Sequence, residues 1–445
     1  MRIAVIGAGT AGLTAAWLLA PDHDVTVHEA GSRAGGAVRA HPFDTGRGPV
    51  PLDTGAQHLS PADFTTHRAL RRLVGIGEDD EVTVPLSLTV TASGVATPLL
   101  VTPDAAHDAA RGRTPVTGSA WEEVAAFLAA AGRPPNAGPA TPSAASPSPG
   151  LGSGTGPTVA EAAHAAGVGE EVRDRILLPW LASYSGCRLA DVAQAPARYA
   201  AAWALRTPPA RPEDAALWTN ITGGLHTLTA RLADSLGNRL RLSDPVAALS
   251  AGGPDGSAPL TVHTTAGSEP VYDRVIVAAP AREAARMLAT DPVLARRAVL
   301  LRLLPHEPVT VALHRDPRYM PPERRHWSAV NVHAHGSWGE TTYWFGASGG
   351  PEVFKSWITH REEPADILRT ERFEHLVLTA GAVRTRHELR GLRLSPHLQL
   401  AGSYLHDIDS QESAVRSALS AVEALDASGG RPARLHSAVR AEAGS

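Results

Sequence analysis

The chain has 445 residues, of which 43% are hydrophobic and 19% charged, a balance that suits a packed globular protein and excludes a disordered one. A formal net charge of -4 argues against a nucleic-acid binder or a polybasic membrane anchor. The single cysteine, Cys187, leaves no intrachain disulfide and no cysteine-cluster metal site.

In chain order, Ile3 to Ile6 reads as a short apolar strand and Thr10 to Ala20 as an alanine- and leucine-rich helix. Asp24 to Glu29 alternates apolar and polar residues and reads as a second strand, after a turn at Pro21-Asp22-His23. The start leaves no room for a signal peptide, and no run of ~18 apolar residues follows, so a cytoplasmic protein without a membrane segment is expected. Phe64 to Val74 and Ser119 to Ala131 have helical spacing, and Glu81 to Leu100 is strand-like. Arg133 to Pro157 is almost wholly Pro, Ala, Ser, Gly and Thr and is expected to be a mobile insertion. Helices are predicted over Val159 to Ala166, Glu170 to Leu178 and Asp191 to Ala204, with a turn at Ser185-Gly186. Strands follow over Arg239 to Ser250, Leu260 to Thr265, Tyr272 to Ala278, Val309 to His314 and Thr341 to Phe345. Leu398 to Gly402 is a strand ending in glycine, Ser413 to Asp426 a helix, and Ala427 to Ser445 a frayed tail.

Gly7-Ala8-Gly9-Thr10-Ala11-Gly12 matches G-x-G-x-x-G between strand and helix. The first glycine allows the tight turn, the second a close backbone approach to a pyrophosphate, the third close helix–strand packing. The helix N-terminus, with Thr10 and Ala11, offers free N–H groups and partial positive charge. Glu29, with Ala30 after it, ends the next strand, where a carboxylate can accept from both ribose hydroxyls and disfavours a 2′-phosphate. Arg33-Ala34-Gly35-Gly36 pairs a phosphate-binding side chain with backbone that can pass close to a bulky ligand. Asp53-Thr54-Gly55-Ala56-Gln57-His58 follows with further polar groups. Near the C-terminus, Ala401-Gly402-Ser403-Tyr404 ends a strand, and Glu412-Ser413-Ala414 opens a helix, a second place for a polar ligand.

Taken in order, Gly7-x-Gly9-x-x-Gly12, Glu29, Arg33-x-Gly35-Gly36, Asp53-x-Gly55 and Ala401-Gly402 with Glu412-Ser413-Ala414-x-x-Ser417 resemble the flavin-containing amine oxidoreductase superfamily, which includes monoamine oxidases, phytoene desaturases and protoporphyrinogen oxidases. Trp218-Thr219-Asn220-Ile221-Thr222-Gly223-Gly224 resembles the family's glycine-pair turn before a helix, and Asp244-Pro245-Val246 its strand whose valine backbone contacts the FAD adenine. A narrower resemblance is to bacterial NAD/FAD-binding proteins associated with cyclopropane-fatty-acid-synthase-like methyltransferases. It rests on the first twenty residues or so, Leu52-Asp53-Thr54-Gly55, Gly402-Ser403-Tyr404, and His314-Arg315-Asp316-Pro317-Arg318-Tyr319-Met320-Pro321 leading to Trp327. The resemblance implies an α/β, p-hydroxybenzoate-hydroxylase-like fold. A Rossmann-like FAD-binding domain from 1–60, 215–280 and 395–430 would interleave with an α+β substrate domain from 61–214 and 281–394, followed by a tail at 431–445. It implies a flavoenzyme that oxidises a C–N or C–C bond of a small molecule by two electrons with O2 as acceptor. A desaturase, reductase or isomerase of an apolar metabolite, or a flavin-binding partner without turnover, are the alternatives.

The chain departs from that pattern in several places. Ala37 stands where many members have Arg after the glycine pair, Ser403 where many have an acid, and Ser410 where monoamine oxidases place an aromatic cage residue. Monoamine oxidases also use a buried lysine linked through water to flavin N5. Lys355 is this chain's only lysine, and its spacing and side-chain type predict a surface position. Cys187 lies far from the place of a flavin-linked cysteine, so non-covalent FAD and a buried, inert thiol are expected. Asp407 and Asp409 flank the turn where the ring would lie and are candidate bases; His58, Tyr404, His406 and Glu412 are further polar candidates. Tyr343, Phe345 and Trp327 are candidate substrate-contacting residues, with Trp338 and Trp344 as possible wall residues. No histidines fall into a metal-binding spacing.

Overall fold

The first strand is apolar on both faces, and both are covered. Ile3 and Val5 enter one core cluster with the Thr10–Leu19 helix, while Ala4 and Ile6 enter another with Val275 and Val277. That is the pattern of a central strand in a parallel sheet with helices on both sides. The computed structural model describes residues 1–132, 156–253, 256–268, 270–392, 395–425 and 429–444. In it the five-stranded parallel sheet runs in the order Leu398–Leu400, Arg274–Val277, Arg2–Ile6, Asp24–His28, Leu240–Arg241. Its strands therefore come from the start, middle and end of the chain. Every residue of the Thr10–Leu19 helix is buried, pressed between this sheet and the Gln411–Glu423 helix.

A second, seven-stranded sheet is mostly antiparallel and runs Ile367–Leu376, His306–His314, Phe354–Trp357, Trp338–Trp344, Val330–His335, Leu88–Ala92, Leu100–Val101. Three smaller antiparallel sheets complete the described residues. One pairs Glu81–Leu86 with Ala216–Ile221, and another is the hairpin of Ala40–Asp44 and Pro49–Asp53. Helices between 159 and 206 enclose a separate apolar cluster that contains Cys187. The architecture is mixed α/β.

Two expectations change here. Helix over Asp191 to Ala204 is broken into Leu189–Gln194, Ala197–Ala200 and Ala202–Arg206, because Pro196 cannot donate a helical hydrogen bond. The tail is not frayed: Gly430–Gly444 is a helix with Leu435 fully buried. Arg431 Nη1 donates to Trp17 O at 2.6 Å, and Glu442 pairs with Arg68 and Arg72. The expected mobile insertion at 133–157 lies outside the described residues, apart from Gly156 and Pro157. Among the described residues, no helix is long and apolar enough to cross a membrane, and no group of three or more His, Cys, Asp or Glu could hold a metal ion.

Candidate active site

The glycine turn is built as its sequence requires. Gly7 adopts φ +102 and donates its N–H to His28 O at 2.8 Å, and a Cβ on Gly12 would collide with Gly7 O. Gly35 N donates to Ala8 O at 2.8 Å, which lays the Gly35-Gly36 pair against Gly9. Gly55 packs in turn on Ala37 O, again without room for a Cβ. At the far end of the sequence, Gly402 N donates to Ser417 Oγ at 2.8 Å, and Ser410 Oγ caps the Gln411–Glu423 helix by accepting from Ser413 N at 3.1 Å. Ala414 is buried in that helix's first turn. Thr10 Oγ1 donates to Gln411 Oε1 at 2.7 Å, so the N-termini of the first and the Gln411–Glu423 helices meet side chain to side chain. Two helix N-termini brought together make a strong anion-binding corner.

Glu29 accepts from Ala8 N and Gly31 N, each at 2.7 Å, with one carboxylate oxygen apiece. Each oxygen keeps a lone pair for another donor. Ser243 N and Asp244 N donate to Gly31 O and Glu29 O, at 2.9 and 2.8 Å, which carries Val246 alongside Glu29 and Ala30. Arg33 is exposed, with Nη1 on Ala34 O at 3.3 Å.

Lys355 corrects the expectation of a surface lysine. Its Nζ donates to Gly55 O at 3.2 Å and Gln57 Oε1 at 2.5 Å, and sits 5.7 Å from the centre of the Tyr343 ring. Register explains the placement: Lys355 lies opposite Tyr343 on one side and Leu313 on the other, so all three share the sheet face turned toward the 55–58 segment. Burial lowers the Lys355 pKa, while the Asp53 carboxylate opposes that shift; Asp53, itself buried, is raised by burial against the pull of Lys355. Asp53 also accepts from Leu225 N at 3.2 Å, at the start of the His226–Leu236 helix.

His58 joins this group. Its Nδ1 is 2.8 Å from Asn220 Oδ1, and its ring lies 4.7 Å from that of Tyr343. Burial first, and the Lys355 charge second, push His58 down to about 3 against the Asn220 hydrogen bond, so it is neutral at physiological pH. Phe345 meets Tyr343 edge-on at 5.1 Å. One cluster thus gathers Asp53, Gln57, His58, Asn220, Tyr343, Phe345 and Lys355.

The other candidates lie elsewhere. Asp407 is ion-paired with Arg206, and Asp409 accepts from Ser403 Oγ at 2.5 Å with His375 Nδ1 at 3.7 Å. Both acids have partners within the described structure. Tyr404 is buried in the apolar cluster of Ile6, Val277 and Leu405, with its hydroxyl unpaired. The Glu412 carboxylate accepts from Thr66 N at 3.2 Å and His67 N at 2.7 Å, capping the Thr65–Leu73 helix. His406 is near Arg386, which donates to its carbonyl oxygen at 2.6 Å. Trp327 packs edge-on against Trp344 and Phe354 and donates Nε1–H to Pro321 O at 2.7 Å, as a core residue does. Sequence reading placed Asn220 only in the run leading to the Gly223-Gly224 pair and gave it no role at the site. A polar residue amid the apolar Trp218 to Ile221 strand was the available signal.

A glycine turn after a parallel strand and two facing helix N-termini are the geometry of a dinucleotide-binding fold, with a buried lysine cluster in the same molecule. The sequence model of the flavin-containing amine oxidoreductase family matches residues 10–331, and the chain belongs to that family. It is an FAD-dependent oxidoreductase. No curated protein matches it in sequence. Solved structures that share the fold include a protoporphyrinogen-oxidase-like protein from Exiguobacterium sp. 255-15, at 18% identity over 96% of this chain and 99% of that one, TM-score 0.64. Cyclohexylamine oxidase from Brevibacterium oxydans IH-35A matches at 16% identity over 95% and 98%, TM-score 0.65. A fatty acid isomerase from P. acnes matches at 14% identity over 95% and 98%, TM-score 0.62. At such identities the likeness establishes the fold and leaves the reaction to the residues.

Proposed function

We propose that this flavoenzyme oxidises the C–N bond of a small amine by two electrons, with Lys355 as the proton-handling group and O2 as the final acceptor. The observation that carries the reading is Lys355 itself, the only lysine of the chain, enclosed and aimed at the Gly55–Gln57 segment. The residues fit FAD. Glu29 has acceptor capacity for ribose hydroxyls, Gly7 and Gly12 leave the space of a pyrophosphate turn, and two helix N-termini meet at Thr10 and Gln411. Arg33, Gly35, Gly36, Ala56, Gly402 and Ser403 would line its path, and Val246 the adenine end. FAD, when bound, supplies the two-electron acceptor.

Lowered by burial, Lys355 is neutral in a larger fraction of molecules than a surface lysine would be, and its Nζ can take a proton from an incoming ammonium. Asp53 keeps the opposite charge close by, so that the protonated state is also tolerated. Gln57 and Gly55 O fix where that nitrogen sits. The flavin-binding unit is proposed to comprise 1–60, 215–280 and 395–430, with 61–214 and 281–394 as the substrate unit. The three-piece parallel sheet supports this division. Non-covalent flavin is supported by Cys187, which is buried in the helical cluster beside Ser185, its thiol pushed up by burial. Acid precipitation should therefore release free FAD into the supernatant; flavin retained on the pellet would overturn that point.

Lys355→Met should slow anaerobic flavin bleaching by amines about 100-fold or more while leaving flavin content intact, within the usual range for a lost proton-transfer group. A full-speed variant would remove Lys355 from the chemistry.

A further inference from the structure

His28 ends the Asp24–His28 strand one residue before Glu29. Val25 and Val27 enter the core cluster of the Thr10–Leu19 helix, so alternation turns His28 to the other face of the sheet. There its imidazole is fully buried and meets the Tyr272 ring edge-on at 6.1 Å. Both ring nitrogens have polar neighbours. Nδ1 lies 2.8 Å from an Asp244 carboxylate oxygen, and Nε2 lies 3.4 Å from the Tyr272 hydroxyl. A carboxylate only accepts, so Nδ1 carries the proton and donates it to Asp244.

Asp244 belongs to a segment with an unusual backbone. Ser243 has φ +54, a left-handed conformation that among the described non-glycine residues only Asp366 shares. From that bend Ser243 N and Asp244 N donate to Gly31 O and Glu29 O, at 2.9 and 2.8 Å. The His28–Asp244 bond is a third, side-chain tie across the same junction. On the backbone side, Gly7 N donates to His28 O at 2.8 Å, and Glu29 N to Arg241 O at 2.9 Å. His28 thus holds two parts of the cofactor cradle, the glycine turn through its carbonyl and the 243–246 segment through its imidazole. Loss of the imidazole leaves the glycine turn its backbone bond. It also strips a largely buried carboxylate of its donor and frees a segment bent against its own preference at Ser243. The loosening falls on the side where Glu29 and Val246 face each other.

We infer that His28 and Asp244 form a positioning clamp for the adenosine half of FAD, and that this chain's preference for FAD over FMN, which lacks that half, depends on the pair. This rests on the reading that Glu29 and Val246 receive the ribose and adenine. The test is flavin exchange. The FAD-loaded protein is equilibrated with excess FMN, and chromatography of the bound flavins gives the ratio of the two affinities. A general loss of stability weakens both flavins alike and leaves that ratio unchanged. His28→Leu should lower the FAD-to-FMN ratio about 10-fold, the scale of one hydrogen bond to a charged group. His28→Asn, whose amide nitrogen stands where Nδ1 does, should restore most of it. Asp244→Ala, at the more accessible partner, should match His28→Leu and serves in its place if the leucine variant does not fold. The two substitutions together should do no more than either alone. An unchanged ratio in both single variants, or effects that multiply in the double variant, would overturn the clamp. Glu29→Ala separates the clamp from the reading it rests on. A ratio lowered by Glu29→Ala but not by the other two leaves the adenosine where it is placed and removes the clamp. A ratio lowered by His28→Leu but not by Glu29→Ala keeps the clamp and takes the ribose away from Glu29.

Discussion

Burial holds His58 neutral, and that has a pH consequence. The unfolded chain takes up a proton on this histidine as pH falls below roughly 6.5, whereas the folded protein resists until about 3. Its stabilising contribution is therefore complete above roughly 6.5 and lost progressively as pH drops toward 3. His58→Asn should show a smaller fall in Tm between pH 7 and pH 5 than the unaltered protein, by thermal denaturation at matched salt; an equally steep fall would place the titrating group elsewhere. Gly12 carries a steric prediction. Gly12→Ala forces a Cβ onto Gly7 O, so the turn must move, and a cost above ~2 kcal/mol with loss of bound flavin is expected from denaturant titration and absorbance. Such glycines are legible in a sequence because only one residue type satisfies the geometry. Lys355 was not legible. Its partners, Gly55 and Gln57, lie 300 and 298 positions away, and no local pattern reports that meeting.

At the scale of elements, Glu412 shows one residue ordering a distant helix. Its carboxylate occupies two N-terminal amides of Thr65–Leu73, whose own N-cap position, Phe64, has no side-chain acceptor. Glu412→Ala should cost about 1–2 kcal/mol, as a lost cap does, measured by chemical denaturation. No change would mean that water replaces the cap. The Gly430–Gly444 helix is a second case. Deleting residues 427–445 removes the fully buried Leu435 and the Arg431 bond to Trp17, and should cost about 2 kcal/mol or more with a lower Tm. An unaffected Tm would return this segment to the status of a loose tail. The small, polar composition of that segment hid its one buried leucine. Strands and helices with strong apolar periodicity were legible at once. The Asp191 to Ala204 stretch was misread because alanine supports helix in every neighbouring turn and masks the break at Pro196.

The whole molecule is organised by a sheet whose five strands come from three separated parts of the chain. The order of glycine motifs carried that arrangement in the sequence, since each motif marks a strand end that must converge on one ligand. The partition of the remaining strands was not carried, because antiparallel pairs such as Glu81–Leu86 with Ala216–Ile221 depend on which faces happen to be apolar after the chain has crossed the molecule. The same interleaving has a consequence for biosynthesis. Arg2–Ile6 is made before its sheet neighbour Arg274–Val277, and before Leu398–Leu400, which forms one edge of the sheet. The helix that covers it begins at Gln411. Until those segments are made the nascent chain carries a β–α–β unit with an open strand edge and an uncovered apolar helix, so the parallel sheet is completed and covered only after residues 398–423 have emerged. Long-range closure of this kind slows folding and exposes aggregation-prone edges to chaperones. Slower synthesis or lower growth temperature should raise the soluble yield of this enzyme more than that of a protein whose domains are contiguous in sequence.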